Sequence, residues 1–463
     1  MNENKVQELQ DVVIRFSGDS GDGMQLTGTL FSDTSALLGN GISTFPDYPA
    51  EIRAPQGTVA GVSGFQVHFG AKRQLNPGDF CDVLIAMNPA ALKANRKWLK
   101  PGATVILDED SITEEHLRKA GFATLDPIRE LNLEDFNVVV PNITEMTKAA
   151  LADSGLDNKA MVKCKNMFAL GICFYLYNRP EDHAKRYLDS KFAKKNPAIA
   201  EANKRAIDAG YNYAANTHQF ANTYTVASGQ MEKGTYRSIS GNVATAWGLC
   251  AASEKSGLPL FCGSYPITPA TVILEELAKR KDLGVKTVQA EDEIAGICTA
   301  IGASFAGNFA VTTTSGPGLS LKSEALGLAV MTELPLVVVD VQRGGPSTGL
   351  PTKTEQSDLQ QALYGRNGES PVAVIAASMP SDCFHYAFEA GRIAMEHMTP
   401  VILLTDGFIA NGSEPWKIPS MKDYPTINPP IIDKTEDGGP FMPYARNEKL
   451  ARSWAFPGKA GLE

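Results

Sequence analysis

Apolar positions recur along this chain in two blocks of short strand-like runs that alternate with helix-like stretches. The first block opens with DVVIRFSG, a strand pattern, and continues with MQLTGTLFSDTSALLG, whose apolar positions repeat at helical spacing. Four later runs predict further strands, interleaved towards the end with helical stretches such as PAALKANRKWL: VSGFQVHFG, DVLIAMN, ATVILDED and FNVVVPN. This alternation predicts a mainly parallel sheet covered by helices.

The second block is richer in β-branched residues, and its runs are nearly continuous in apolar character. They include LPLFCGSYP, VKTVQAE, FAVTTTSGPG, LPLVVVDVQRGGPSTG, PVAVIAAS and MTPVILLTDGF. Such runs suit a parallel sheet buried on both faces, where ligands bind beyond the carboxyl ends of the strands. Between the first two lies TPATVILEELAKR, a predicted helix with Thr268 as N-cap and Pro269 at its first position.

The pattern divides the chain into an α/β domain at 1–205, a linker at 206–240, a second α/β domain at 241–415 and an extended tail at 416–463. The linker contains many polar residues and glycines with weak periodicity. The tail is rich in proline, glycine and charge, so we expect either an arm that wraps a partner or a chain cut before a further domain.

Composition narrows the class of protein. With 463 residues, 43% hydrophobic and 21% charged, the chain is typical of a soluble globular protein, and its net charge of −9 argues against nucleic-acid binding. The N-terminus MNENKVQELQ lacks the apolar core of a signal or an anchor, so we expect a cytoplasmic protein without a membrane segment. Seven scattered cysteines form no C-x-x-C pair, which predicts no iron–sulfur cluster, zinc or disulfide within the chain.

Two polar features stand at strand ends of the second block. The loops GSYPITPAT, TTTSGPGLS and QRGGPSTGLPTKTEQSD suit a small anionic substrate, and Arg343 is the candidate for its carboxylate, with pairing to a surface acid as the alternative. Three acids, Glu291, Asp292 and Glu293, precede a helix of mostly small residues. They either complement the helix dipole or include a carboxyl group buried against a ligand. A metal site is disfavoured, because three consecutive acids do not converge on one ion.

The turn GDSGDG follows the first strand of the chain's first block. Backbone N–H groups of Gly18, Gly21 and Gly23 at a helix start can hold a phosphate, but Asp19 and Asp22 place negative charge there. The spacing is not that of the dinucleotide fingerprint. Phosphate contact and a structural turn with acidic caps therefore both stay open.

Several motifs together resemble the 2-oxoacid:ferredoxin oxidoreductase family. YPITPAT, QAEDEIA, TTTSGPGLSL and VQRGGPSTGLPTKTEQSDL resemble its pyrimidine-binding domain, of the thiamine diphosphate-binding fold; FSGDSGDGMQLTG, YPAEIRAPQG and KNMFALG resemble its gamma domain. The order gamma then alpha in one chain is similar to the fused large subunit of the 2-oxoglutarate enzymes. The resemblance implies two mainly parallel α/β domains over about residues 11–420 and, after the tail, a domain like the transketolase C-terminal domain.

The resemblance also implies site residues. The glutamate that hydrogen-bonds the thiamine diphosphate ring corresponds best to Glu291 and second to Glu293, beside Tyr265 and Pro266 of the YPITP motif. Thr268 and Arg343 would contact the 2-oxoacid carboxylate. Ser347 and Thr348, just beyond Arg343, either complete the polar wall of the site or cap a turn. Lys353 either reaches a distal carboxylate, as 2-oxoglutarate would present, or is an exposed loop lysine. Gly18, Gly21 and Gly23 are the candidates for coenzyme A contact.

The implied activity is coenzyme A-dependent oxidative decarboxylation of a 2-oxoacid, most readily 2-oxoglutarate, with electrons passed to ferredoxin and the reaction reversible. The chain lacks the diphosphate and magnesium signature and cluster cysteines. We therefore expect Mg²⁺ and [4Fe-4S] on a separate beta subunit, and a heterodimer or heterotetramer. Pyruvate and branched-chain 2-oxoacids stay open as substrates, and the second reading is a noncatalytic partner or regulatory subunit that keeps the fold.

Overall fold

A computed structural model describes residues 5–49, 54–220, 222–229, 231–435 and 438–462. Part of the YPAEIRAPQG motif, residues 50–53, lies outside these ranges. The chain forms two compact units, Met1–Gly234 and Thr235–Glu463.

The first unit contains a six-stranded sheet in the order β3-β4-β2-β5-β6-β7. β2, β5, β6 and β7 run parallel, whereas β4 is antiparallel to both β2 and β3. A separate parallel pair joins β1 to β8. The strands are β1 (Lys5–Leu9), β2 (Asp11–Asp19), β3 (Gly41–Asp47), β4 (Val62–Gly70), β5 (Cys81–Ala86), β6 (Leu99–Leu107), β7 (Asn137–Val139) and β8 (Asn222–Val226).

Helices cover this sheet, and an aromatic cluster fills the space beneath α1 and α7. Phe31 and Tyr177 both pack edge-on against Phe69, at ring separations of 5.3 and 5.4 Å. The helices are α1 (Met24–Leu37), α2 (Pro89–Asn95), α3 (Glu114–Lys119), α4 (Pro127–Glu130), α5 (Ile143–Ala150), α6 (Asn158–Val162), α7 (Lys165–Leu176), α8 (Asp182–Leu188) and α9 (Pro197–Asn216).

The second unit contains a six-stranded, all-parallel sheet in the order β11-β10-β12-β13-β15-β14. Its central strands β12, β13 and β15 are buried along their whole length, as their continuous apolar character predicts. An antiparallel pair joins β9 to β16. The strands are β9 (Tyr236–Ser240), β10 (Leu260–Ser264), β11 (Lys286–Gln289), β12 (Phe309–Thr314), β13 (Leu336–Gln342), β14 (Ala373–Ala376), β15 (Pro400–Asp406) and β16 (Ser413–Lys417).

Helices pack on both faces of the second sheet. The residues after β16 add an extended segment whose Trp454 is fully buried and forms a bridge with Ile431. The helices are α10 (Gly241–Ser256), α11 (Thr271–Ala278), α12 (Glu293–Phe305), α13 (Gly316–Leu321), α14 (Ser323–Met331), α15 (Leu359–Tyr364), α16 (Cys383–His397) and α17 (Gly407–Asn411).

The predicted fold class of two mainly parallel α/β units is confirmed. Two local features differ from prediction. The segment 206–240, expected as a linker, contains the end of α9 and the strands β8 and β9, whose backbone groups pair with distant strands that the sequence does not identify. α11 begins at Thr271 with Ala270 as its N-cap, rather than at Pro269 with Thr268 as its N-cap, because residues 268–270 form a turn.

Candidate functional site at the carboxyl edge of the second sheet

The three predicted loops lie side by side because they follow β10, β12 and β13, which are adjacent parallel strands. Ser264, the last residue of β10, donates from its hydroxyl group to the carbonyl oxygen of Thr313 on β12 at 2.8 Å. The acids at 291–293 follow β11, the next strand at the same edge. The parallel order therefore brings all four polar segments to one edge of the sheet.

Arg343 forms hydrogen bonds to two of these loops. It is the first residue after β13 and is 7% exposed. Its Nη1 donates to the carbonyl oxygen of Thr268 at 2.7 Å, and its Nη2 donates to that of Thr348 at 3.0 Å. Its Nε is buried and has no hydrogen-bond partner in the described part of the chain. The alternative, pairing with a surface acid, is not what the structure shows, because Arg343 donates to backbone carbonyl oxygens. These two contacts leave Nε–H and one N–H of each Nη unused.

The three consecutive acids occupy different environments. Asp292 is the N-cap of α12, and its carboxylate accepts from the N–H of Ala295 at 2.7 Å. Glu291 precedes the helix and is exposed. Glu293, the first helical residue, is half-buried, and its carboxylate lies close enough to act electrostatically on Arg343 and Lys322. Of the two glutamates, Glu293 is the one directed at the other loops.

The TTTSGPG loop packs against the side chain of Glu293. A Cβ at Gly318 would overlap Thr314 Oγ1 and lie 2.8 Å from Glu293 Cγ, so only glycine permits this close approach. The hydroxyl group of Ser315 is buried without a hydrogen-bond partner among the described residues. A buried polar group without a partner costs free energy unless a ligand or water satisfies it.

Lys322 is the charged residue of this edge that the sequence interpretation missed. It links α13 to α14, its side chain is completely buried, and its Nζ donates to the carbonyl oxygen of Glu293 at 2.7 Å. Burial lowers the pKa of Lys322 to about 8, against the opposing effect of the Glu293 carboxylate. A lysine inside the apolar stretch GLSLKSEALGL was the available signal.

The remaining predicted residues line the rim. Tyr265 and Pro266 are half-buried directly after β10, and the Thr268 side chain is exposed. Ser347 and Thr348 are also exposed, whereas Lys353 is half-buried in the returning strand of the loop, where its carbonyl oxygen accepts from Gly344 N–H. These six residues therefore lie on two of the three loops, those after β10 and β13, and the side chains of Thr268, Ser347 and Thr348 are exposed.

A pair of buried acids lies beneath the same edge. Asp340 on β13 is completely buried, and its carboxyl group is close enough to that of Asp358 for a hydrogen bond when one of them holds a proton. Burial, together with the negative charge of Asp358, raises the pKa of Asp340 well above its usual value. Asp340 is therefore the protonated member of the pair at neutral pH.

In the first unit, the two acids of the glycine turn accept hydrogen bonds from backbone N–H groups. Asp22 accepts from the N–H of Asp19 at 2.9 Å, and the Asp19 carboxylate accepts from the N–H of Gly57 at 3.0 and 3.1 Å. Gly23 is the N-cap of α1 with φ at +75°, a conformation that favours glycine. Gly18 at the end of β2 and Gly21 in the turn complete the predicted set.

A polar cavity of about 250 Å³ adjoins this turn. Its lining combines the two acids with three basic side chains, His116, Lys119 and Lys165, and with the N-terminal residues of α2. Burial raises the pKa of Asp19, and only Lys165 among the basic groups approaches Asp22, at 3.5 Å.

No group of three or more His, Cys, Asp or Glu side chains in the described residues is arranged to hold a metal ion. All seven cysteines are free thiols. Within the described ranges, no helix has both the length and the apolar character that crossing a bilayer requires.

Two protein-family descriptions match the chain, one in each unit. Residues 13–213 match "Pyruvate ferredoxin/flavodoxin oxidoreductase", and residues 254–460 match "Pyruvate flavodoxin/ferredoxin oxidoreductase, thiamine diP-bdg". The 2-oxoglutarate oxidoreductase subunit KorA of Mycobacterium tuberculosis is 55% identical over 458 residues, which cover 99% of this chain and 69% of the relative. The chain belongs to the 2-oxoacid:ferredoxin oxidoreductase family. The predicted family membership is thereby confirmed.

Other members of the family are similar along nearly the whole chain. The 2-oxoglutarate:ferredoxin oxidoreductase from Magnetococcus marinus, solved with 2-oxoglutarate, coenzyme A and succinyl-CoA bound, has a TM-score of 0.81 and 34% identity. That similarity covers 98% of this chain and 73% of the other. The alpha subunit of 2-oxoacid:ferredoxin oxidoreductase 1 from Aeropyrum pernix is 27% identical, covering 96% of this chain and 72% of the relative.

Proposed function

We propose that the chain is the alpha subunit of a 2-oxoglutarate:ferredoxin oxidoreductase. The complete enzyme converts 2-oxoglutarate and coenzyme A to succinyl-CoA and CO₂, passing two electrons to ferredoxin, and runs in reverse with reduced ferredoxin. The observation that carries this proposal is the convergence of Glu293, Arg343 and the Ser315 loop at one sheet edge of the unit that matches the thiamine diphosphate-binding family.

The residues at this edge fit thiamine diphosphate. Gly318 lets the Glu293 side chain lie against the TTTSGPG loop, and the hydroxyl group of Ser315 in that loop is a buried polar atom in need of a partner. The bound cofactor supplies the carbanion chemistry of decarboxylation. Glu293, rather than the exposed Glu291, is the residue we propose to hydrogen-bond its ring, because Glu293 alone of the two lies among the other loops.

Arg343 is proposed to bind the substrate carboxylate through the guanidinium N–H groups that its two backbone contacts leave unused. Its two Nη atoms are already fixed to the carbonyl oxygens of Thr268 and Thr348, so the guanidinium group is held in place before the substrate arrives. Lys353 on the same loop is the candidate for the distal carboxylate of 2-oxoglutarate. Coenzyme A contact is proposed at the polar cavity of the first unit, through its basic side chains rather than through the glycine turn.

A beta subunit that supplies the Mg²⁺–diphosphate site and a [4Fe-4S] cluster completes the proposed enzyme, which we place in the cytoplasm. Large apolar side chains are exposed on α12, α13 and α14, which pack on one another beside the candidate site. They are Ile294, Phe305, Leu321, Leu328 and Met331. A soluble protein rarely exposes such a set unless another protein covers it, which supports a heteromeric active site.

The proposal is tested by purifying the chain together with its beta subunit and measuring coenzyme A-dependent reduction of ferredoxin. Four substrates are compared: 2-oxoglutarate, pyruvate and two branched-chain 2-oxoacids. We expect the highest kcat/KM with 2-oxoglutarate. A higher kcat/KM with another 2-oxoacid would contradict the substrate assignment, and the absence of turnover with all four would contradict the catalytic role and favour a noncatalytic subunit.

A further inference from the structure

Lys322 occupies a position where a lysine is costly. Its side chain is completely buried, and within the described residues no carboxylate lies at salt-bridge distance from its Nζ. It also lies at the N-terminal end of α12, where the helix dipole disfavours a cation. A buried ammonium group without an ion pair destabilises a fold unless a nearby negative charge compensates it.

The compensation comes from the first turn of α12. Nζ donates to the backbone carbonyl of Glu293 at 2.7 Å, and the Glu293 carboxylate is the largest electrostatic influence that favours the charged form of the lysine. The other titratable groups that face Lys322 are Asp292 and Cys298 on α12 and Cys262 on β10. The lysine thus contacts the backbone of the proposed cofactor glutamate and lies within electrostatic range of its side chain.

We propose that Lys322 is a positioning residue of the cofactor site, whose ammonium group fixes the backbone of Glu293 and thereby the position of its carboxyl group. This inference rests on the proposed function. A charged ammonium group donates a stronger hydrogen bond to the Glu293 carbonyl oxygen than a neutral amine does, so Glu293 is held in place more firmly, and thiamine diphosphate binds more tightly, while Lys322 holds its proton. Because burial lowers the pKa of Lys322 to about 8, this contribution declines as pH rises through 8.

The test measures the Kd of thiamine diphosphate for the assembled complex at pH 7 and pH 9. Lys322→Gln keeps a hydrogen-bond donor and removes the charge, whereas Lys322→Met removes both. For K322Q we expect a Kd about tenfold above wild type at pH 7, with the ratio falling towards 1 at pH 9. For K322M the ratio stays above 1 at pH 9, because the neutral lysine still donates to Glu293.

Lys279→Gln is the matched control, since Lys279 is an exposed lysine of the same unit that pairs with Glu276. Its Kd should equal wild type at both pH values. A K322Q ratio near 1 at pH 7, or one that is equal at pH 7 and pH 9, overturns the inference. A lower Tm with unchanged Kd does so as well, because that result indicates a role in folding alone.

Glu293→Gln provides a test that leaves Lys322 in place. It should abolish the weakening of wild-type affinity between pH 7 and pH 9, and persistence of that weakening contradicts the inference. Turnover of 2-oxoglutarate is recorded on the same wild-type sample. Absent turnover with the expected Kd pattern contradicts the proposed function alone, whereas turnover with a flat Kd ratio contradicts the role of Lys322 alone.

Discussion

The polar loops at strand ends in the two units have similar compositions but differ in which of their polar groups lack a hydrogen-bond partner. In the first unit, the carboxylates of Asp19 and Asp22 accept from backbone N–H groups of Gly57 and of the turn itself. In the second unit, Arg343 Nε and the Ser315 hydroxyl group remain without partners among the described residues. Each unsatisfied buried group costs about 1–3 kcal/mol. Glycine content alone therefore does not identify a ligand site.

The largest expected effect distinguishes Glu293 from Glu291 at the carboxyl edge of the second sheet. Glu293→Gln should lower kcat for 2-oxoglutarate by about 100-fold or more, because the neutral amide cannot exchange a proton with the cofactor ring. Glu291→Gln is the matched control and should stay within severalfold of wild type, since Glu291 is exposed outside the loop cluster. A larger loss for E291Q than for E293Q would restore the assignment that sequence position favours.

Arg343→Lys should raise KM for the 2-oxoacid by roughly 10- to 100-fold with a smaller effect on kcat. The three donors of an ammonium group diverge from one nitrogen, so lysine does not reproduce the fork with which Arg343 spans the Thr268 and Thr348 carbonyl oxygens. Steady-state kinetics with Tm measured in parallel separate binding from folding. An unchanged KM with a lower Tm would show that Arg343 only bridges the two loops.

In the first unit, glycine variants should change stability rather than turnover. Gly23→Ala places a side chain at φ +75° and a Cβ 2.5 Å from Asn166 Nδ2, so we expect a loss of about 2 kcal/mol in unfolding free energy. Gly21→Ala is the control, because an added Cβ there would lie at an ordinary contact distance of 3.5 Å from Gln56 Nε2. Denaturant unfolding measures both. A tenfold rise in the KM of coenzyme A for G21A, with normal stability, would instead assign the turn to ligand binding.

The smallest expected effect concerns the buried acids. The pKa of Asp340 is raised in the folded state, so its contribution to stability is fully present below its unfolded pKa of about 4 and is lost as pH rises through the folded value. Asp340→Asn should therefore lessen the fall in Tm between pH 5 and pH 8 by a few degrees. A Tm profile parallel to wild type would show that Asp340 does not titrate on folding.

The hydrophobic pattern was sufficient to predict the fold class, because continuous apolar runs such as those of β12 and β13 have few alternatives to a buried parallel sheet. It also placed Arg343 and the acids at one edge. Which of Glu291 and Glu293 faces the other loops depends on where α12 begins, because one residue at a helix start changes a side chain's direction by about 100°. Lys322 was missed because its partner is a backbone carbonyl distant in sequence, and β8 was missed because its pairing partner is β1.

The most direct test of the central claim is a structure of the complex with the beta subunit and thiamine diphosphate bound. We expect the Glu293 carboxyl group to lie about 2.6–3.2 Å from a ring nitrogen of the cofactor, with Arg343 Nε facing the substrate position. A cofactor ring bound by Glu291, or one bound away from the edge formed by β10, β12 and β13, would contradict the account.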